Sequence, residues 1–404
     1  MGQRVAIVGA GYAGMAAAVT LASRGVPVTV FESGPLPGGR ARRVKTEGRD
    51  LDNGQHILVG AYVELFRLMR LVGVPDDALM RLPLEIRYAK DFCFRALPLP
   101  STFGLLFGLI FSKGIPLTER IGAARFMSAM GRNGFRLEKD IPVIEMLDQF
   151  RQNGRIGHFL WRPLCVSALN TPPEQASANR FLAALRDTLG GAPGASDLLL
   201  PRVDLSRLFP EPAMAYVVRN GGEVRLRTVV ENLSELKSRY ASVIVAVGPH
   251  QLRNLMPQTA TDYTYQPIYT CYLQYAPEVR LPFPMIGLAD GLVQWVFDRG
   301  SLLGESGRLA CVISAQGDHQ QMEQDELAQR CGSEISKAFG LAKPEWARVI
   351  AEKRATVTCS VGLKTASTEI DGIHMAGDYT DPEYPPTLEA AVRSGVRAAL
   401  KAAQ

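Results

Sequence analysis

The segment Gly9-Ala10-Gly11-Tyr12-Ala13-Gly14 stands between a short apolar run, Val5–Val8, and a stretch of small and apolar residues, 13–23, with helical spacing. The apolar run reads as a buried parallel strand and the following stretch as a helix. Gly25 closes that helix and residues 27–31 make a second strand, so the chain opens as a βαβ unit. In that setting each glycine has a task. Gly9 makes the tight turn, Gly11 lets backbone approach a pyrophosphate, and Gly14 lets the helix lie close against the strand, while the helix N-terminus turns its positive dipole end to the phosphates. Glu32, ending the second strand, can accept hydrogen bonds from an adenosine ribose and would repel a phosphorylated one, which disfavours NADP. Taken alone, the spacing still allows a βαβ unit that binds no dinucleotide.

The residues that follow narrow the ligand. Gly38-Gly39-Arg40 allows the chain to pass close to a pyrophosphate or a flavin, and Arg40 or Arg42 can neutralise phosphate charge; this loop separates FAD from NAD. A glycine turn leading into a solvated basic face is the alternative. Leu51-Asp52-Asn53-Gly54-Gln55-His56 comes next, and places Gln55 or His56 beside the flavin. His56 is a candidate proton donor or a histidine satisfied by backbone, and Asp52 is equally open. Near the other end, Ala376-Gly377-Asp378-Tyr379 follows a short strand, and Pro385-Pro386-Thr387-Leu388-Glu389 leads into a closing helix over 386–402 with proline at its first position. Asp378 suits ribityl or ribose hydroxyls or serves as a cap. A helix N-terminus aimed at the flavin pyrimidine edge would stabilise the negative charge that grows there on reduction. Tyr379 is a further candidate for proton transfer, or a packing residue.

Further sheet elements are expected at 222–230, 242–247 and 373–376, with a helix over 231–239. Residues 84–196 are rich in helical patterns, and 261–357 mix strands at 269–274, 292–297 and 309–314 with a polar helix over 319–339. The simplest assembly is an α/β protein, α+β overall. A Rossmann-like FAD-binding domain (1–83, 197–260 and 358–404) is interrupted by a mixed helical and β-sheet substrate domain (84–196 and 261–357). Residues 190–196 read as a surface loop. With 45 Lys+Arg, 40 Asp+Glu and a net charge of +5 without long like-charge runs, a nucleic-acid footprint is not expected. Six scattered cysteines (93, 165, 271, 311, 331 and 359) without a C-x-x-C pair read as reduced thiols, and no metal is expected. A strand from the first residues leaves no room for a secretory signal, so the cytoplasm is the expected compartment. The stretch 97–116, apolar all round over 103–111, is too short to span a bilayer. It is either a core helix or a membrane-facing surface with Lys113, Arg120 and Arg125 at the headgroups.

Together these motifs resemble the FAD-dependent amine oxidase and phytoene desaturase superfamily. LDNGQHILVGAY (51–62), PLCVSALNTPPEQASA (163–178), SDLLLPRVDLSRLFPEPA (196–213), EKRAT (352–356) and AGDYTDPEYPPTLEAAVRSG (376–395) look like the hydroxysqualene dehydroxylase branch. The resemblance implies a non-covalently bound FAD whose reduced form converts hydroxysqualene to squalene for hopanoid synthesis. It also implies a squalene-type isoprenoid substrate, an external electron donor and peripheral contact with the inner face of the cytoplasmic membrane. The implied cofactor-binding residues are Gly9, Gly11, Gly14, Glu32, Ser33, Gly39, Arg40, Arg42, Gly54, Gln55, His56, Val230, Gly377, Asp378, Thr387 and Leu388; the catalytic candidates are His56, Asp52 and Tyr379. Tyr379 stands where the branch has Trp, and residues 356–362 depart from its aromatic run. A carotenoid-type desaturase, an amine oxidase and a non-catalytic prenyl-binding protein on the same fold are the rival readings.

Overall fold

The structure is a computed structural model that describes residues 4–88, 91–97, 101–189, 192–257 and 261–404. Its first sheet has six strands in the order Glu223–Arg225, Val28–Phe31, Val5–Val8, Ser242–Val245, Ile373–Met375, Glu369–Ile370. The first five run parallel, and the last pairs antiparallel at the edge. Parallel strands covered on both faces need apolar residues throughout, and VAIV, VTVF and SVIV supply them.

The opening helix Tyr12–Ala22 is buried along its whole length, because its small side chains let the closing helix Leu388–Ala402 press onto it. Glycine sets the spacing. A Cβ on Gly395 would meet the Ala13 carbonyl oxygen at 2.0 Å, and one on Gly14 would meet the Gly9 carbonyl oxygen at 1.9 Å. The far face of the sheet is covered by Leu233, Leu236, Leu252, Met256 and Tyr379.

A second sheet holds seven strands in the order Trp346–Val357, Tyr265–Gln274, Arg308–Ser314, Trp295–Asp298, Met285–Gly287, Glu85–Tyr88, Phe92–Arg95. Its period-two alternation sorts side chains cleanly. Tyr269, Cys271, Leu273, Val296, Leu309, Cys311 and Ile313 pack with the helix Gln324–Phe339, whereas Ile268, Tyr272, Trp295, Phe297, Ala310 and Val312 face the opposite way, toward the helical block. That second face becomes a wall of the site.

Several sequence expectations are corrected in detail. The strand expected over 222–230 is only Glu223–Arg225. Beyond it Arg227 turns left-handed (φ 54°), and the N–H groups of Arg227 and Thr228 donate to the Gly34 and Glu32 carbonyls, so the chain folds over the neighbouring strand's end. The closing helix starts at Leu388, with Thr387 as the cap accepting from the Ala390 N–H at 3.2 Å, so Pro386 precedes the cap rather than occupying the first turn. The helix expected over 319–339 is a short 3-10 turn, Asp318–Gln321, followed by Gln324–Phe339. The twelve-residue strand Trp346–Val357 was not expected; it lies at the sheet edge, where charged residues such as Glu352, Lys353 and Arg354 mask the apolar alternation. The loop expected at 190–196 and the apolar stretch 97–116 fall partly outside the described residues.

Replacing Gly395 with Ala forces the two terminal helices apart. The expected cost is about 1–3 kcal/mol of unfolding free energy in urea titration, of the size seen for overpacked cores. Weaker cofactor retention should accompany it, since the opening helix carries the phosphate-facing turn.

Candidate active site

A single cavity of about 1190 Å³ runs from the C-terminal ends of the parallel strands to the face of the seven-stranded sheet. At one end lie Gly9, Gly11, Glu32, Ser33, Gly38 and Gly39. Gly9 has φ 102°, and a Cβ there would meet the Ala246 carbonyl oxygen at 2.6 Å; one on Gly39 would meet the Gly11 Cα at 3.2 Å. Gly11 itself would meet only that Gly39 Cα, at 3.8 Å, so the side of the turn facing the cavity is open beside the helix N-terminus. This is a cradle for a pyrophosphate. Gly14 does not line it, and acts by packing beneath the turn.

Glu32 is built into the same turn. Its Oε2 accepts from the Ala10 N–H at 2.8 Å and its Oε1 from the Gly34 N–H at 2.7 Å, with the Ser33 hydroxyl at 3.4 Å. A carboxylate has lone pairs beyond those two backbone contacts, so it can still receive ribose hydroxyls. Thr228 and Val230 border this end of the cavity.

The arginines differ from the sequence expectation. Arg40 donates to Asp378 Oδ1 at 2.7 Å and to the Ala355 carbonyl at 2.6 Å, and Arg42 donates to the Gly39 carbonyl. Arg40 is thus a bridge between the glycine loop and the Asp378 loop and Arg42 braces its own turn, while both stay on the cavity lining. Asp378 keeps Oδ2 without a partner among the described residues, on the cavity wall, where a polyol hydroxyl can reach it. Gly377 donates its N–H to Ser394 Oγ at 2.8 Å, and Thr387 and Leu388 bring the start of the closing helix to the cavity. Gly54, Gln55 and His56 also line it.

Asp52 is not at the cavity. It is buried, with Oδ1 accepting from the Leu205 N–H at 2.8 Å and Oδ2 from Arg299 at 3.1 Å, while its carbonyl accepts from the Tyr272 hydroxyl at 2.8 Å. Burial pushes its carboxyl pKa up against the pull of Arg299. These are the contacts of a structural carboxylate. Tyr379 is at the cavity, but its hydroxyl donates to the Val247 carbonyl at 3.1 Å and its ring packs near Tyr263. Burial, with Asp378 adding to it, raises its pKa, which leaves it a poor acid.

His56 faces the cavity, and neither ring nitrogen has a hydrogen-bond partner among the described residues. Burial, with Arg40 adding to it, pushes its pKa down to about 4. At neutral pH it is therefore an uncharged imidazole. It can donate one N–H or hold a water.

Sequence reasoning missed the rest of the wall. Trp295, Phe297, Ile268 and Val312 come from the inner face of the seven-stranded sheet, with Ser167, Ala168 and Asn170 opposite. Asn53 donates to the Arg40 carbonyl at 3.1 Å and to Glu352 at 2.9 Å, tying the edge strand to the glycine loop. The alternation around Trp295 was visible as a strand, yet nothing local says which face meets a flavin.

A glycine cradle, an acidic strand end, and a second carboxylate beside a capped helix, all opening onto one largely apolar chamber, define a dinucleotide-dependent redox enzyme. Residues 12–402 match the family described as Flavin containing amine oxidoreductase, and the chain belongs to it. The protein is an oxidoreductase whose cofactor is FAD. Among curated relatives, the hydroxysqualene dehydroxylase of Rhodopseudomonas palustris is 28% identical, covering 99% of this chain and 98% of its own. That of Zymomonas mobilis is 28% identical over 97% of each. A Synechococcus elongatus protein named "Probable zeta-carotene desaturase" is 22% identical over 98% of each. Among solved structures, an oxidoreductase from Methanosarcina mazei superposes with a TM-score of 0.73 at 14% identity, covering 98% of this chain and 100% of that one. Putrescine oxidase bound to putrescine gives 0.68 at 15%, covering 99% of each.

Two measurements test the site. Glu32→Ala removes the acceptor of two backbone N–H groups and the ribose partner, and is expected to weaken FAD retention about tenfold or more, read by flavin fluorescence on dilution. For His56, the pKa is 6.5 unfolded and about 4 folded, so between those values the unfolded chain holds the extra proton and stability falls as pH drops through that window. His250, His319 and His374 are also shifted down by burial and contribute in the same direction. The urea midpoint of apoprotein should fall from pH 7 to pH 4.5, and less steeply in His56→Asn.

Proposed function

We propose that this enzyme removes the hydroxyl of hydroxysqualene to give squalene, using reduced FAD. The observation that carries the reading is one chamber in which the FAD cradle continues directly into an apolar wall of Ile268, Trp295, Phe297 and Val312. The full-length likeness to two hydroxysqualene dehydroxylases supports that substrate class. Reduced FAD supplies a hydride and a proton, so alcohol and reduced flavin give hydrocarbon, oxidised flavin and one water. Glu32 and Asp378 take the sugar and ribityl hydroxyls, and the glycine cradle with the opening helix takes the pyrophosphate. The apolar wall holds the polyene and excludes the bulk water that would recapture an allylic cation. The electrons come from a nicotinamide entering the same chamber or from a redox protein, since a single glycine fingerprint is present.

A hydrocarbon substrate partitions into lipid, and the surface offers a place to meet it. No helix among the described residues is long and apolar enough to cross a membrane. Phe107 and Phe111 lie one turn apart at the end of the helix Ser101–Ile110, and Leu117 and Ile121 one turn apart at the start of the helix Leu117–Arg132. All four are exposed, Phe111 to 68%. Lys113 and Arg125 are exposed nearby. Arg120 is not available for headgroups, because it donates to the Ile110 and Ile115 carbonyls and joins the two helices, and Leu109 is packed in the core. This patch is the membrane contact of the proposed function.

Photoreduced enzyme mixed anaerobically with hydroxysqualene should reoxidise and yield squalene. Conversion of phytoene by oxidised enzyme, with no reaction of hydroxysqualene, would assign the desaturase direction instead. Phe111→Glu with Leu117→Glu should weaken sedimentation with anionic liposomes by about tenfold or more, while reduction of detergent-dispersed hydroxysqualene persists.

A further inference from the structure

Arg299 is the most deeply enclosed arginine of the described residues, with 1% of its side chain exposed. Every edge of its guanidinium is engaged. Nε and Nη2 meet the two oxygens of Glu305 at 2.8 and 2.7 Å, and Nη1 meets Asp52 at 3.1 Å and Gln55 Oε1 at 3.2 Å. Glu305 is held in turn by Arg308 at 3.0 Å, and the guanidinium lies 5.3 Å from the centre of the Tyr272 ring. A group so enclosed cannot turn. Among the described residues, its one hydrogen-bond partner on the cavity lining is Gln55.

A guanidinium only donates hydrogen bonds. The atom of the Gln55 carboxamide that faces Arg299 must therefore be its oxygen, which settles the orientation of the amide and leaves its –NH2 directed away from Arg299. That –NH2 has no acceptor among the described residues, and Gln55 lies on the cavity wall. The Asn170 amide differs: it is already spent on the Pro267 carbonyl at 3.3 Å, Thr356 at 3.0 Å and the Ala315 N–H at 2.8 Å. Ser167 Oγ accepts from Trp295 at 3.2 Å, but its O–H, like that of Ser314 and the His56 ring, has no acceptor among the described residues, so these are the rival donors to the Gln55 –NH2.

We propose that Gln55 is the specificity-determining residue that recognises the hydroxyl oxygen of the substrate, and that Arg299 is the positioning residue that holds its –NH2 toward that oxygen. This rests on the dehydroxylation reading. Gln55 supplies no proton; it donates a hydrogen bond to an oxygen that gains electron density as its bond to carbon lengthens, so the contact strengthens along the reaction. A desaturase acting on a hydrocarbon has no oxygen to offer such a donor. The polyene has none except at the leaving group, so a fixed donor also sets which carbon is presented.

The test uses FAD-loaded Gln55→Glu and Gln55→Met. Gln55→Glu keeps the Arg299 contact and removes the donor, so the fold is retained; Gln55→Met removes the donor without adding charge. In anaerobic single turnover, both should slow reoxidation by hydroxysqualene on the order of tenfold to a hundredfold. Both should leave reoxidation by dichlorophenolindophenol and the binding of squalene unchanged. Arg299→Lys, which keeps the charge without the rigid fork, should show the same selective loss in weaker form. Slowing with both oxidants, or a shifted flavin potential in Gln55→Met, places Gln55 on the flavin and overturns the proposal. So does an unchanged rate in both Gln55 variants, or the selective loss appearing in Ser314→Ala, Ser167→Ala or His56→Asn instead. If the wild-type reduced enzyme itself ignores hydroxysqualene, the dehydroxylation reading has failed before Gln55 is tested.

Discussion

The buried ion cluster of Arg299, Asp52 and Glu305 joins the hairpin after the glycine loop to the seven-stranded sheet, where contacts of Glu47 with Arg348 and of Asn53 with Glu352 add to it nearer the surface. Asp52 ends the small hairpin that follows the glycine loop, and Arg299 follows the strand Trp295–Asp298 of the seven-stranded sheet. Removing charges of this kind from water is costly, and the cost is recovered only when each lone pair and each N–H finds a partner. Here they do: Leu205 and Tyr272 complete the shell around Asp52, and Arg308 completes Glu305. Loss of one partner from such a cluster costs about 3–5 kcal/mol. The cluster therefore sets the distance between the cofactor cradle and the apolar wall, and with it the shape of the chamber.

A second bridge works at the other end. Arg40 spans the Asp378 loop and the Ala355 carbonyl, and Asn53 ties the same region to Glu352. Arg180, nearly buried, donates to the carbonyls of Asp381, Pro382 and Tyr384 and so holds the loop between Asp378 and the closing helix. Groups that look catalytic or ligand-binding in the sequence are thus spent on holding the frame. Cavity groups that keep a valence free among the described residues include Asp378 Oδ2, the His56 ring, the Gln55 –NH2 and the Ser167 and Ser314 O–H groups. The depressed pKa of His56 comes first from its burial, with Arg40, fixed close by, adding to it.

Much of the cofactor half was legible because its signals are local. A glycine where a Cβ would overlap a carbonyl at 1.9 Å has no substitute, and four-residue apolar runs before glycine have few other uses. Asp52 was misread for the opposite reason. Its neighbours in sequence, Asn53 to His56, face the cavity, but its own partners are Arg299 and Leu205, about 250 and 150 residues away. Trp346–Val357 was hidden because an edge strand open to solvent carries charges on both faces.

From the chain alone came the βαβ opening, the need for FAD at Gly9 to Arg40, and the terminal strand and helix that return to it. These depend on residues close in sequence, where backbone sterics and periodicity decide. The tertiary structure alone decided which face of the seven-stranded sheet lines the cavity, that Arg40 bridges two loops of the site, that Asp52 is a buried structural carboxylate, and that burial depresses the His56 pKa. It also decided the direction of the Gln55 amide. Burial and long-range pairing govern each of these, and neither is written in any short stretch of sequence.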